Sequence, residues 1–433
     1  MTTPDTALPE HALRPAYRDG NVLRWLAAYT LSLVGDSVYF VALSWSAQKA
    51  ADAAAVGFVM AAGALPRALL MLGGGVVADR LNPRRVILGS DTLRCLLILT
   101  VAAVIALTAP ALWILVALAL VFGAVDALFV PAIGALPPRI TSPDQLARVT
   151  GLRSLSMRLS LIAGPPIGGL AMTIGGTSAT FATAGLLFAA SLPLLLTVRI
   201  PHPESRSPQT PKHASPRQDL VDGLHYIRRH PFIGPLLAAS ATCELGLTGI
   251  FNVGIVLLNA ERGWGPTGYG WIVSSFGAGA AASAALLAIA GWLPRAGLIL
   301  TAALMVGCAG AATIALADTI ALAAVLAAVI GLSAGTFGSL NNALVQSASD
   351  PAYLGRVTSV IMLITVGIAP LSYPIVGTAI AAFGTAPVFA ACSGFAALGA
   401  VVGLASHSVR QAQLPRSRTG DPLRQQGALP REP

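Results

Sequence analysis

The chain has 433 residues, of which 55% are hydrophobic and only 10% charged. Water-soluble domains carry about 25% charged residues, so most of this chain does not face water and it reads as an all-α integral membrane protein. The net charge of +9 sits in loops between apolar runs, which excludes a nucleic-acid-binding patch. The four cysteines, Cys95, Cys243, Cys308 and Cys392, stand singly in apolar segments. They have neither metal-ligand spacing nor the pattern of a disulfide framework.

A spanning helix needs roughly 20 apolar residues. That ruler predicts twelve transmembrane helices, at 22–47, 55–78, 86–108, 111–134, 148–174 and 179–198, then 232–259, 267–291, 296–316, 319–343, 355–382 and 386–406. Residues 1–21 form a polar N-terminal segment. Span one carries Asp36 in LVGDSVYF, with Tyr39 and Trp45 beyond it. At 1.5 Å per residue Asp36 lies roughly 21 Å from the start of the span. Arg67 in span two lies roughly 18 Å from the same end, so Asp36 and Arg67 are expected to pair. GVVADRLNPRR (Gly75–Arg85) joins spans two and three. There a carboxylate at a helix end, Asp79, precedes Arg80, Arg84 and Arg85, an arrangement that can form charge-assisted bonds locking one conformation.

Asp126 in span four and Arg158 in span five each lie roughly 15 Å from the basic-loop end and form a second expected pair. AGPPIGGL (Ala163–Leu170) in span five combines paired prolines, which kink a helix, with glycines that allow close helix approach. The longest polar stretch follows span six. It is rich in Pro, Ser and basic residues, and defines a linker over 199–231 between an N-terminal half (22–198) and a C-terminal half (232–406). Its end, DLVDGLHYIRRH (Asp219–His230), predicts a short amphipathic helix lying along the membrane surface.

Span seven carries Glu244, with no evident basic partner, and Phe251. Span ten contributes Asn341 and Asn342, and span eleven Tyr373. Residues 407–433 are polar and Pro/Arg-rich and predict a disordered tail.

Loops after odd-numbered spans carry only Lys49 and Arg262, whereas Arg80, Arg84, Arg85, Arg139, Arg148, Arg295, Arg356 and the basic linker all follow even-numbered spans. The asymmetry places the even loops, the linker and both termini in the cytoplasm. LARVT (Leu146–Thr150) recurs as LGRVT (Leu354–Thr358), and Pro166, Ile167 and Gly169 recur as Pro374, Ile375 and Gly377. One offset of 208 residues (146 to 354) accounts for all of them. The halves are therefore parallel six-helix repeats, an organisation that suits transporters with a mid-membrane site between the repeats. The same offset pairs Asp36 with Glu244.

GVVADRLNPRR resembles the cytoplasmic-loop signature of the major facilitator superfamily: Gly, three residues, Asp, Arg, any residue, Gly, then basic residues. Gly75, Asp79, Arg80, Arg84 and Arg85 carry the match, and Asn82 replaces the second Gly. Gly164, Pro165, Gly168 and Gly169 resemble the helix-five signature of exporters in that superfamily. Over residues 20–406 the chain resembles its drug, macrolide and siderophore exporter branch. ALVFGAVDALFVPA (Ala119–Ala132) lacks the Arg of the span-four signature that many drug antiporters carry. The resemblance implies a cavity lined by spans one, four, seven and ten, three of which carry Asp36, Asp126 and Glu244.

A charge near mid-bilayer costs roughly 2.5–3.5 kcal/mol on insertion scales and needs a partner or a wet cavity. Asp36, Glu244 and Asp126 are therefore the expected proton-coupling groups, and Arg67 and Arg158 their charge partners. Tyr39, Trp45, Phe251, Asn341, Asn342 and Tyr373 are the expected cavity residues. The function expected is proton-coupled efflux of amphipathic small molecules by a monomer in a bacterial inner membrane. It would be driven by the proton gradient, with lipid, substrate and protons as its partners and neither a cofactor nor a metal. The rival readings are a narrow-specificity siderophore or metabolite exporter and a non-transporting membrane receptor. No nucleophile–base set, metal cluster or phosphate loop appears in the polar parts, so no enzyme is expected.

Overall fold

The structure is a computed structural model that describes residues 16–80, 83–108, 111–199, 216–290, 293–350 and 353–413, with the side chains of 16, 71–80 and 216–220 outside that description. The helices are α1 (Gly20–Ala50), α2 (Ala53–Arg80), α3 (Pro83–Leu107), α4 (Leu112–Gly134), α5 (Leu146–Thr197), α6 (Pro216–Arg229), α7 (Ile233–Glu261), α8 (Gly265–Ala290), α9 (Ala296–Ile314), α10 (Ile320–Ala348), α11 (Leu354–Phe383) and α12 (Thr385–Ala405). Among the described residues eleven helices are long and apolar enough to cross a membrane. They leave large apolar side chains on the outer surface, among them Leu96, Ile289 and Phe383, as lipid-facing surfaces do.

The sequence predicts one more span, and the difference lies in α5. It has 52 residues, roughly 78 Å of straight helix against a hydrocarbon core of about 30 Å. Gly176 interrupts it at φ 69°, ψ −159°, a conformation that glycine reaches without a Cβ penalty. The two limbs, 146–175 and 177–197, correspond to predicted spans five and six. Asn21 at the start of α1 donates to and accepts from the backbone of Arg199, at 2.7 and 2.8 Å. The beginning and end of the first half are thereby tied together at one end.

The halves are built alike. α1 packs on α5 and α2 on α4; in the second half α7 packs on α11 and α12, and α8 on α10. Gly123 on α4 fits against the backbone of Gly63 on α2, and Gly331, its mate 208 residues later, fits against the backbone of Phe276 on α8.

The halves join through α2 with α11 and α5 with α8. A Cβ at Gly57 would lie 2.5 Å from the Tyr373 carbonyl oxygen, and one at Gly377 would lie 2.9 Å from that of Ala53. On the other flank Thr173 and Thr267 share a 2.8 Å hydroxyl bond, and the Ser274 hydroxyl donates to Ile162 O at 2.7 Å. These contacts use the start of α2 and α8, and they lie at the end opposite the basic loops.

The predicted amphipathic helix is α6, but it does not simply lie on the surface. Ile227 is buried, Tyr226 stacks on Tyr353 at 4.5 Å, and Asp222 approaches Arg356 at 3.8 Å. These contacts fasten the linker helix to the start of α11. The predicted disordered tail is corrected over its first residues: Val409 is fully buried and Ala412 O accepts from Gly297 N–H at 3.3 Å. An apolar contact and a satisfied backbone bond order this stretch. The rest of the tail, from 414, and most of the linker lie outside the described residues.

Candidate functional site

The first half encloses a cluster of five charges drawn from four helices. Asp36 comes from α1, Arg67 from α2, Asp91 and Arg94 from α3, and Asp126 from α4. Arg94, fully buried, is the hub. It bonds Asp126, lies 3.6 Å from Asp36, and lies 3.6 Å from Asp91 one turn earlier on its own helix. Its guanidinium also stands over the ring of Phe129 at 4.1 Å, a favourable position for a cation cut off from water. Asp91, equally buried, accepts further bonds from Ser32 at 3.1 Å and Ser191 at 2.9 Å. Arg67 holds the other oxygen of Asp126 at 3.0 Å, and its side chain is 38% exposed. Arg67 is therefore the member of the cluster that water reaches most readily. Among the described residues, no group donates a hydrogen bond to the Asp36 oxygen nearest Arg94.

These contacts correct both expected pairs. Arg67 joins Asp126 rather than Asp36, and Asp36 faces Arg94. Arg158 is half-buried and makes no ion pair among the described residues. Depth along a helix sets height but not direction. Ser156 and Ser160 are buried, and Ser160 donates to Thr30 O of α1. Arg158 lies two residues from each, about 200° around the helix, so it turns away from α1. Asp91 and Arg94 escaped the sequence reading, although LGSDTLRCLL places two charges at i, i+3 inside an apolar span. Such an intramembrane pair is itself a functional signal.

The second half contains a cavity of about 510 Å³ lined by α7 to α11, together with Leu161 of α5. Glu244, Phe251, Asn341 and Asn342 line it as expected. Glu244 is half-buried and accepts a 2.7 Å bond from Thr248, and among the described residues no basic side chain pairs with it. Around Ile250–Gly254 α7 winds into a π-helical turn, in which Ile255 N–H reaches back to Ile250 O. The Asn252 side chain donates to Thr248 O at 2.9 Å, supplying a donor beside this loosened turn. Single π turns inside helices are frequent at functional sites, and this one presents Phe251 and Asn252 to the cavity.

Tyr39 and Trp45 are not cavity residues. Both are buried in the core, Tyr39 stacked on Phe122 with ring centroids 3.8 Å apart; an aromatic ring facing other helices gains more from dense packing than from a wet cavity. Tyr373 sits outside the lining at the α2–α11 junction, within electrostatic reach of Arg67 and Glu244. In the helix-five motif, Gly168 fits against Val41 and Gly164 against Ser37, both on α1. Gly169 fits against Pro266 of α8, and Pro165 O lies beside Gly270. The motif is thus the place where α5 touches both its own half and the other. Of the basic-loop motif, Gly75, Asp79 and Arg80 lie outside the described side chains. Arg85 is exposed and Arg84 donates to Leu196 O at 2.7 Å.

Two like-built helical halves, joined at one end and carrying buried charges and an internal cavity, define a membrane transporter. The family model described as Major Facilitator Superfamily matches residues 25–370, and the chain belongs to that family. The similar solved structures share its fold. A bacterial homologue of the human lysosomal transporter Spinster, in an inward-facing and occupied conformation, superposes with TM-score 0.72 at 14% identity, over 92% of this chain and 98% of that one. The nucleoside transporter NupG superposes with TM-score 0.68 at 13% identity, over 89% of this chain and 98% of that one.

Among curated proteins, the enterobactin exporter EntS of Shigella dysenteriae is 26% identical over 226 residues, 51% of each chain. EntS of Escherichia coli O157:H7 matches equally, over 51% of each chain. The chain thus spans about half the length of the curated relatives it matches.

Proposed function

We propose that this chain is a proton-coupled exporter of amphipathic small molecules, working by alternating access in a bacterial inner membrane. In this reading the chain crosses twelve times, α5 twice, and both termini are cytoplasmic. The halves then meet at the periplasmic end and part toward the cytoplasm, so the present state accepts substrate from inside. The proton gradient is the energy source, and no cofactor is needed.

The observation that carries the reading is the sharing of Asp126 between buried Arg94 and partly exposed Arg67, with Asp36 beside them. Three carboxylates face two guanidiniums, and an uncompensated charge is costly away from water. A proton that enters or leaves Asp36 or Asp126 therefore changes which of these contacts is favourable. Because the carboxylates and arginines lie on four different helices, that change acts on helix positions. A two-state element biased by a local charge change is what a coupled transporter requires.

Everted membrane vesicles loaded through an imposed pH gradient test the reading. Asp36→Asn and Asp126→Asn should each abolish gradient-driven uptake of a fluorescent substrate; uptake unchanged in both would refute it.

The EntS relatives favour a second reading, a narrow-specificity siderophore or metabolite exporter. Arg67 and Arg158 would then serve an anionic substrate, and Arg67→Ala should abolish its transport.

A further inference from the structure

The 510 Å³ cavity falls within the roughly 300–1,000 Å³ of sites that bury a drug-sized ligand. Its lining is apolar except for one carboxylate, a few hydroxyls and three amides. The carboxylate, Glu244, is the one charged group in the lining among the described residues. It accepts a hydrogen bond from Thr248, and no guanidinium or ammonium among the described residues pairs with it. This separates it from Asp36, Asp91 and Asp126, which share two arginines in the other half. Phe251 and Phe276 stand together across the cavity wall with ring centroids 4.9 Å apart, and Phe337 lines the same space. Aromatic faces attract a positive charge, while an apolar wall with one uncompensated carboxylate repels an anion. Asn252, at the π turn, and Asn341 add amide groups near this wall.

We infer that this cavity binds an organic monocation with an apolar or aromatic body, with Glu244 as its counter-charge and Phe251 and Phe276 against the body. The inference rests on the exporter reading but divides its tasks. Glu244 compensates the substrate, and the proton is exchanged in the first half. It also sets this chain apart from a carrier of anionic siderophores.

The test uses two probes of one shape and opposite charge, tetraphenylphosphonium and tetraphenylborate, on the full chain in lipid nanodiscs, with empty discs subtracted. The wild type should prefer the phosphonium by at least tenfold. Glu244→Gln should lose that preference, and Glu244→Asp should retain it at lower affinity, which separates lost charge from lost folding. Cys243 lines the cavity beside Glu244. In a Cys392→Ser background, phosphonium should therefore protect Cys243 from maleimide in the wild type and not in Glu244→Gln.

Equal binding of both probes, an unchanged preference in Glu244→Gln, or no protection of Cys243 would each overturn the inference. Failure of the exporter reading looks different. Phosphonium would then bind through Glu244 and yet undergo no movement under a pH gradient, a result that supports the cavity assignment and refutes export.

Discussion

Replacing Arg94 by Leu is the most informative perturbation of the buried cluster. Arg94 is fully buried and serves Asp36, Asp91 and Asp126 at once. In the variant Asp126 keeps Arg67, and Asp91 keeps the hydroxyls of Ser32 and Ser191. Asp36 keeps no ion pair among the described residues, only Arg67 at longer range. Breaking a buried ion pair by removing one partner costs about 3–5 kcal/mol, and the partial compensation at Asp126 and Asp91 places the effect toward the lower end, about 3 kcal/mol. That is a factor on the order of 100 in the folded-to-unfolded ratio. Reversible unfolding in mixed micelles, read by tryptophan fluorescence, measures it. Adding Asp36→Asn to Arg94→Leu should recover a good part of the loss, because the orphaned carboxylate is then gone. An Arg94→Leu protein within 1 kcal/mol of the wild type, or a double variant no better than the single, would refute the assignment of Arg94 as the hub.

Other outcomes follow from the same geometry. Arg67→Ala should cost about 1 kcal/mol or less, since exposed pairs contribute little and Asp126 retains Arg94; the same unfolding assay checks it. Gly57→Leu should force α2 away from Tyr373, so a cysteine placed at Thr173 should react faster with an impermeant maleimide than in the parent protein. Gly176→Val should destabilise the break in α5, because a branched side chain at φ 69° is strained by about 1–3 kcal/mol; thermal unfolding in detergent checks it. Tyr226→Ala should loosen α6 from α11 by removing the ring stacked on Tyr353, read as faster proteolysis of the linker with transport-site binding unchanged.

The membrane-spanning architecture was legible because it rests on length and hydropathy. The run from Val22 to Ala47 announces α1, and the predicted limits of most spans fall within a few residues of the observed helices. The break at Gly176 falls between predicted spans five and six, where Gly175–Gly176 stands between two apolar runs. Site geometry was legible only in part. Depth estimates brought Asp36 and Asp126 to the right half but paired them wrongly. A carboxylate and an arginine at equal height meet only if their helices also turn the right faces to each other, and an apolar span hides its facing.

Asp91 and Arg94 stand in the sequence as an i, i+3 pair inside an apolar span, a signal that the search for paired charges on different spans does not register. Tyr39 and Trp45 show the converse. They lie on the same helix as Asp36 yet pack in the core rather than line the cavity. The π turn at Ile250–Gly254 has no marker in a single sequence beyond the glycines that flank it.

Proton movement tied to substrate movement is the central claim, and it is measured most directly with purified protein in liposomes that trap a pH-sensitive dye. With an acidic lumen, addition of a cationic substrate outside should raise luminal pH in wild-type liposomes. The rise should be absent in Asp36→Asn and Asp126→Asn liposomes that still bind the cation. Substrate transport without any luminal pH change, or an equal change in both variants, would contradict the account.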